Sequence, residues 1–170
     1  VGLCVARVVG AAGGTIYITR GGPTPTDSVA ILPFTTSGAD AEVLADGIRE
    51  TLTNALSRVP RLRVIAASST SRYKTAPADP QKAGRELGVR VVVTGRLVQR
   101  GETLAVIAEL VSVADGTQLW GRRFARPAAD ILGLQDDVAA EIVQQLRVRL
   151  STADRGALRT RYTEDAEAYR

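Results

Sequence analysis

Residues 28–150 contain two strand–helix units, then three strand-like segments and a closing helix. This order of elements leaves few sheet topologies open. The first unit begins with a short run, residues 28–34, that is apolar at nearly every position. Such a run is typical of a strand buried on both faces. Leucine, isoleucine and valine then recur every three or four residues over residues 40–59, which predicts an amphipathic helix that ends before Pro60. Gly47 lies inside this helical pattern and indicates a close approach of the helix to the sheet.

The second unit is shorter and leads into the three strand-like segments. Alternation over residues 61–67 predicts a strand, and a short helix follows that is capped by Asp79 and ends at Gly88. The next segments are separated by tight turns and predict an antiparallel meander over residues 89–98, 104–113 and 118–124.

A long amphipathic helix closes this region. Its apolar positions are Ile131, Leu134, Val138, Ile142, Leu146 and Leu150. The predicted fold class is therefore α/β (α+β), with a mixed sheet of about five strands in the order β-α-β-α-β-β-β-α and helices packed on it.

Three flanking segments complete the predicted domain organisation. Residues 1–19 are apolar apart from Arg7, and we interpret them as a transmembrane helix or its distal part, with a loosely packed lead-in as the alternative. Residues 20–27 read as a Pro/Gly/Thr linker before the α/β domain over residues 28–150. Residues 151–170 are charged and rich in alanine, which indicates the start of another helical region.

The composition excludes several kinds of chemistry. The chain has no histidine and a single cysteine, so it cannot form a Ser-His-Asp triad, a His/Cys metal site or an internal disulfide. We predict no catalytic residue, no cofactor and no metal. The net charge is +4, but some arginines lie beside acidic residues, as in Arg49-Glu50 and Arg85-Glu86, and only seven residues are aromatic, so we expect no nucleic-acid partner.

A polar loop after the second predicted strand is the place where a ligand is most readily accommodated. The carboxyl end of a strand in an α/β sheet is a common ligand position, although a solvated loop is the simpler alternative. Two residues of the last meander strand, an aromatic and a cation, are further candidates, although the strand alternation favours a core or rim anchor for the aromatic. The candidate ligand or partner contacts are Ser69, Arg72, Tyr73, Lys74, Trp120 and Arg122.

Six segments resemble, in order, one bacterial family, the TolB-like amino-terminal (FlgO-like) domain of signalling proteins that also carry tetratricopeptide repeats. The matching segments are SVAILPF, ADGIRETLTNAL, RLRVIA, GRELGVRVVVTGRL, ADGTQLW and ILGLQDDVAAEIV, within residues 28–150. The resemblance implies an α/β domain without established catalytic residues. It also implies a position between an upstream effector, such as a kinase or cyclase, and downstream tetratricopeptide repeats.

We therefore predict a non-catalytic interaction or sensory module of a membrane-associated signalling or regulatory protein. Its expected partners are proteins or peptides, including its own neighbouring domains, and residues 118–124 offer an edge strand to which a partner strand could add. A small-ligand or nucleotide-binding regulatory domain is the alternative. The expected location is the bacterial inner membrane, with a single span in residues 1–19 and an extracytoplasmic domain, or alternatively the cytoplasm.

Overall fold

The computed structural model describes residues 6–9, 15–18, 27–37, 39–75 and 79–167 of the chain. Six strands in this part form one mixed sheet: β3 (Asp27–Ile31), β4 (Thr35–Ser37), β5 (Leu62–Val64), β6 (Val91–Arg100), β7 (Thr103–Ser112) and β8 (Gln118–Pro127). The helices are α1 (Ala39–Ser57), α2 (Ala67–Thr70), α3 (Pro80–Leu87) and α4 (Ile131–Glu167), with short 3₁₀ turns at Ser71–Lys74 and Ala128–Asp130. The predicted fold class is confirmed.

The strand order is β5-β3-β6-β7-β8. β3 is parallel to β5 and to β6, whereas β6, β7 and β8 form the predicted antiparallel meander. The additional strand β4 is also parallel to β6, so β3 and β4 lie end to end along the same neighbour. The interruption falls at Pro33, which has no backbone N–H to donate to a sheet.

Helices cover the two faces of the sheet unequally. α1 and α4 pack on one face and form the larger core, to which they contribute the fully buried side chains Ile48, Leu52, Leu56, Leu134, Val138 and Ile142. α3 packs on the other face only near one end of the sheet, where Ala83 meets Val92 and Val113 in a smaller core. Each fully buried large apolar side chain stabilises the fold by about 1.5–3 kcal/mol, so the α1–α4 layer supplies most of the stability.

Residues 6–9 and 15–18 form two short strands, β1 (Ala6–Val9) and β2 (Thr15–Ile18), which pair antiparallel. The helix predicted over residues 1–19 is therefore wrong for these segments. Their residues are largely β-branched, and the glycines between them weaken a helix. Among the residues that the structure describes, no helix is long and apolar enough to cross a membrane.

The closing helix is longer than the apolar spacing indicated. α4 runs without a break from Ile131 to Glu167, through the region where the sequence predicted a new helical segment to start. The division into a linker at residues 20–27, a domain at 28–150 and a helical region at 151–170 stays a prediction.

Gly47 faces α4 and not the sheet, which corrects the sequence-based expectation. A Cβ atom at this position would lie 3.1 Å from the side-chain amide nitrogen of Gln135. The same glutamine accepts a hydrogen bond from the hydroxyl of Thr51 at 3.4 Å. The small residue thus leaves room for the Gln135 side chain between α1 and α4.

Two helical glycines are expected to respond in opposite ways to alanine. At Gly84 of α3 a Cβ would lie 2.3 Å from Cγ2 of Val113 and 3.0 Å from Cγ2 of Val92, so Gly84→Ala should destabilise the protein by about 1–3 kcal/mol. Gly47→Ala meets only the movable end of Gln135 and should gain up to about 1 kcal/mol of helix propensity. Urea unfolding measures both effects, provided that the dependence of the unfolding free energy on urea concentration is the same in the variants and the wild type. Equal stability of Gly84→Ala and the wild type would contradict the described packing of α3.

Candidate functional site

A crevice of about 400 Å³ opens at the carboxyl end of β3. From β3 the chain passes over one face of the sheet through α1 to β5, and then over the other face through α3 to β6 on the opposite side of β3. The two crossovers diverge at this point, which is the usual ligand position in open α/β sheets.

The crevice has an apolar floor and polar walls. Leu32, Pro33 and Phe34, which connect β3 to β4, form the floor. Hydroxyl groups come from four threonines, Thr35, Thr36, Thr75 and Thr94, and charged groups come from Glu42, Asp46 and Lys74. The polar groups belong to four separate parts of the fold, namely β4, α1, β6 and the turn after α2.

A charge network fixes the wall formed by α1 and the turn. Arg49 of α1 is 8% exposed, and its guanidinium donates to the backbone oxygen of Ala67 at 3.0 Å and to Oγ1 of Thr70 at 3.2 Å. It also donates to Oδ1 of Asp46 at 3.3 Å, while Nζ of Lys74 donates to Oδ2 of the same carboxylate at 2.5 Å. Asp46 therefore bridges a buried cation and a cation at the surface of the crevice. The network ties α1 to α2 and to the turn Ser71–Lys74.

Tyr73 ties the same turn to α3. Its hydroxyl donates to Glu86 at 2.7 Å and accepts a hydrogen bond from Arg72 at 2.9 Å, and the Arg72 guanidinium lies 4.9 Å from the ring centre. Desolvation of the ring hydroxyl, together with its hydrogen bond to Glu86, raises the pKa of Tyr73 above its ordinary value. The phenol thus remains protonated and continues to act as a donor at neutral pH.

The structure places the six sequence-predicted residues in two separate regions. Tyr73 and Lys74 line the crevice, and Ser69 and Arg72 lie in the adjoining α2 and turn. Trp120 and Arg122 lie on β8, at the far edge of the sheet.

On β8, Trp120 packs against the larger core, with its ring centre 6.3 Å from that of Phe124. Arg122 forms an ion pair with Glu141 of α4 at 2.9 Å and lies over the ring of Phe124. Both residues therefore attach β8 to the core and to α4, and they do not belong to the crevice.

Sequence reasoning missed the part of the crevice contributed by α1. Glu42, Asp46 and Arg49 lie 19 to 26 residues before Ser68, where the polar loop begins, and only the sheet topology brings them beside it. The spacing of Asp46 and Arg49, three residues apart on one helix face, was the available signal of an ion pair.

A second candidate surface is the side of the meander that faces away from the larger core, which we call the open face; Ala105 on it is buried, whereas Arg96, Gly121, Arg123 and Ala125 are exposed. α3 covers the neighbouring end of this side, and in the described part of the chain no helix packs over the remaining positions. Strand alternation and pairing place nine residues there: Thr94, Arg96 and Val98 of β6, Ala105, Ile107 and Glu109 of β7, and Gly121, Arg123 and Ala125 of β8.

The centre of the open face combines one apolar side chain with two cations. Arg96, Ile107 and Arg123 lie side by side in one cross-strand row. Ile107 is half-buried, whereas both arginines are exposed. Neither arginine forms an ion pair with any residue of the described ranges. A row of this kind offers an apolar contact flanked by two unpaired positive charges.

Comparisons with known proteins identify one family and one similar curated protein. A sequence profile of the family described as HilA/YgeH-like transcriptional regulator, second domain, matches residues 25–141. A Rhizobium meliloti (strain 1021) protein named "Putative adenylate cyclase 3" is 38% identical over 144 residues, which cover 84% of this chain and 24% of that protein. The chain thus spans about a quarter of the length of this curated relative.

Two solved structures share the fold. TolB from Acinetobacter baumannii is 22% identical with a TM-score of 0.52, over 71% of this chain and 28% of TolB. Lipoprotein GNA1162 from Neisseria meningitidis is 17% identical with a TM-score of 0.50, over 71% of this chain and 96% of the lipoprotein. The TolB-like part of the sequence resemblance is therefore confirmed at the level of the fold.

Even the conservative substitution of Arg49 by lysine is expected to lower the stability of the protein. A single ammonium cannot reproduce the planar contacts to Ala67, Thr70 and Asp46, so Arg49→Lys should destabilise the protein by about 1–3 kcal/mol. Hydrogen exchange in α2 should also become faster, because α2 loses its attachment to α1. The matched control is Arg58→Lys at an exposed position, which should change the free energy of unfolding by less than about 0.5 kcal/mol. Equal effects of the two substitutions would show that the network does not hold the wall.

Proposed function

Because the chain belongs to the family of the HilA/YgeH-like transcriptional regulator second domain, we propose that it is a non-catalytic interaction or sensory module of a larger bacterial regulatory protein. The family description, which names one domain of a regulator, supports this role. The rhizobial relative, about four times as long as the shared region, supports the presence of further domains. A FlgO-like role, with an upstream effector and downstream tetratricopeptide repeats, is part of this proposal.

The open face carries the proposal. Protein interfaces are enriched in arginine around an apolar contact, and Arg96, Ile107 and Arg123 reproduce that arrangement on an exposed sheet surface. The open face carries these two cations and one carboxylate, Glu109, and its net positive charge favours an acidic partner. We therefore propose an acidic segment of a protein, including a neighbouring domain of the same polypeptide, as the occupant.

The edge of β8 is a less suitable docking site than the open face. The pairing of β7 with β8 shifts register between Leu110 and Val111, which leaves Leu119 as a bulge, and Arg149 of α4 donates to the backbone oxygen of Leu119. β8 also ends at Pro127, which cannot donate a backbone hydrogen bond. Bulges and prolines of this kind interrupt strand addition at a sheet edge. The sequence-based proposal of an added partner strand at residues 118–124 is therefore replaced by docking on the face.

The partner can be identified and the docking tested in two steps. A photoreactive amino acid at position 107 of the full-length protein would cross-link the occupant, and its affinity would then be measured with the purified partner. Arg96→Glu/Arg123→Glu should weaken binding by about tenfold or more and reduce its salt dependence.

The control is Arg58→Glu/Arg147→Glu, which makes the same change of charge at exposed positions outside the open face. This variant should bind the partner like the wild type. Equal losses for both double variants, or an unchanged affinity of the open-face variant, would refute docking at this surface.

The name of the rhizobial relative raises an enzymatic alternative that is simple to test. We expect the 170-residue chain to form no cyclic AMP from ATP with Mg²⁺ or Mn²⁺, because the shared region is only 24% of the relative and the chain has no histidine base. Cyclic AMP formation that a single carboxylate substitution abolishes would overturn the non-catalytic assignment.

We propose an envelope location, with the cytoplasm as the alternative. The likeness to a Neisseria lipoprotein supports the first, and the transcriptional-regulator family supports the second. Fusion of the full-length protein to alkaline phosphatase, which is active only outside the cytoplasm, distinguishes them. An inactive fusion of a stably produced protein would assign the domain to the cytoplasm.

A further inference from the structure

The crevice at the end of β3 has a pattern of charge that points to a particular class of small molecule. We infer that it binds a small zwitterion, an amino acid or a dipeptide, with the ligand ammonium at Glu42 and the ligand carboxylate at Lys74. This site adjoins the open face at Thr94, but it does not depend on the partner proposed there.

The charged side chains that line the crevice, together with Arg49 behind its wall, sum to zero net charge. Glu42 and Asp46 contribute two negative charges, and Lys74 and Arg49 contribute two positive charges. A ligand with a net charge would therefore leave an unmatched ion in the crevice. A ligand that is neutral overall but carries both charges leaves the balance unchanged.

The two proposed contact groups differ in their present partners. Glu42 forms no ion pair within the described ranges, so its carboxylate is available to an ammonium group. Lys74 is bound to Asp46, but Asp46 is also bound to Arg49 and keeps that partner when Lys74 turns to a ligand. Moving Lys74 to a ligand carboxylate therefore leaves no buried charge without a counterion.

The spacing of these groups suits a molecule with two nearby charges. Glu42 and Asp46 are one helical turn apart on α1, which places their Cβ atoms about 5–6 Å from each other. Lys74 contacts Asp46 at 2.5 Å, and Glu42 and Lys74 both line the crevice. The assignment places an α-amino acid or a dipeptide between these two groups.

A phosphate ligand fits this position poorly, although helix N-termini after a parallel strand often bind phosphate. The first turn of α1 contains Asp40 and Glu42, and these carboxylates already interact favourably with the positive end of the helix. They would repel a phosphate dianion. The acidic turn thus argues against nucleotides at the place where an α/β fold would otherwise accept them.

The remainder of the crevice would hold the ligand side chain. Its floor contains Leu32 and Phe34, and hydroxyl groups of Thr35, Thr36 and Thr94 line the adjacent sheet surface. The volume of about 400 Å³ is at the lower end of the range for small-molecule sites. It leaves room for an amino acid with a large side chain.

Calorimetry and thermal shift with the 170-residue chain test this assignment. Free amino acids and dipeptides would be screened at about 10 mM, each beside its N-acetyl form and its carboxamide, with inorganic phosphate as a further probe. At least one zwitterion should raise the melting temperature and give binding heat. The N-acetyl form, which lacks the ammonium, and the carboxamide, which lacks the carboxylate, should each bind about tenfold more weakly or worse.

Two variants assign the ends of the ligand. Glu42→Gln, at an exposed position, should remove the preference for the zwitterion over its N-acetyl form, and Lys74→Met should remove the preference over the carboxamide. Glu102→Gln and Lys82→Met, exposed residues outside the crevice, should retain both preferences. The assignment is overturned if no zwitterion binds, if phosphate binds more tightly, or if the neutralised forms bind as well as the parent compound. None of these outcomes decides whether a protein docks on the open face, because the cross-linking and affinity measurements test that docking separately.

Discussion

β6 is the strand on which the remaining structure depends. It pairs with β3 and β4 on one side and with β7 on the other, so it joins the parallel half of the sheet to the meander. Its side chains enter both cores, with Val93 and Leu97 beneath α1 and α4 and Val92 beneath α3. Because all three are fully buried, a shift of one residue in this strand would exchange the two faces and disrupt both cores at once.

The same strand explains which parts of the fold could be predicted from the sequence. The apolar runs and the helical spacing of apolar residues predict the order of elements, because they show which face of each strand or helix is buried. β4 was missed because Pro33 marks the end of a strand in the sequence, whereas in space a second strand resumes beside β6 at Thr35. For residues 6–9 and 15–18, a mainly apolar composition fits both a helix and a strand, and the β-branched content together with the intervening glycines favoured the strands.

The candidate site was less predictable, because its walls are distant in sequence. Tyr73 and Lys74 could be nominated, since they follow a strand and lie at its carboxyl end. Asp46 and Arg49 could not, because their place beside that loop depends on the passage of α1 across the sheet. Trp120 and Arg122 were nominated from polar or aromatic character on a strand, and ion pairing and ring packing attach both residues to their own protein. Their role as partner contacts stays a prediction.

The crevice and the open face are contiguous. Thr35 and Thr94 line the crevice and also a smaller cavity of about 160 Å³ that reaches Arg96, Ile107 and Glu109. The hydroxyl of Thr35 donates to the backbone oxygen of Gly95 at 3.4 Å, and Thr94 pairs directly with Glu109 across the meander. A ligand that repositions this end of β4 would therefore act on residues next to a docked protein. If the ligand changes the affinity of the open face for the protein by some factor, thermodynamic linkage requires the docked protein to change the affinity of the crevice for the ligand by the same factor. Binding at each surface would then depend on binding at the other.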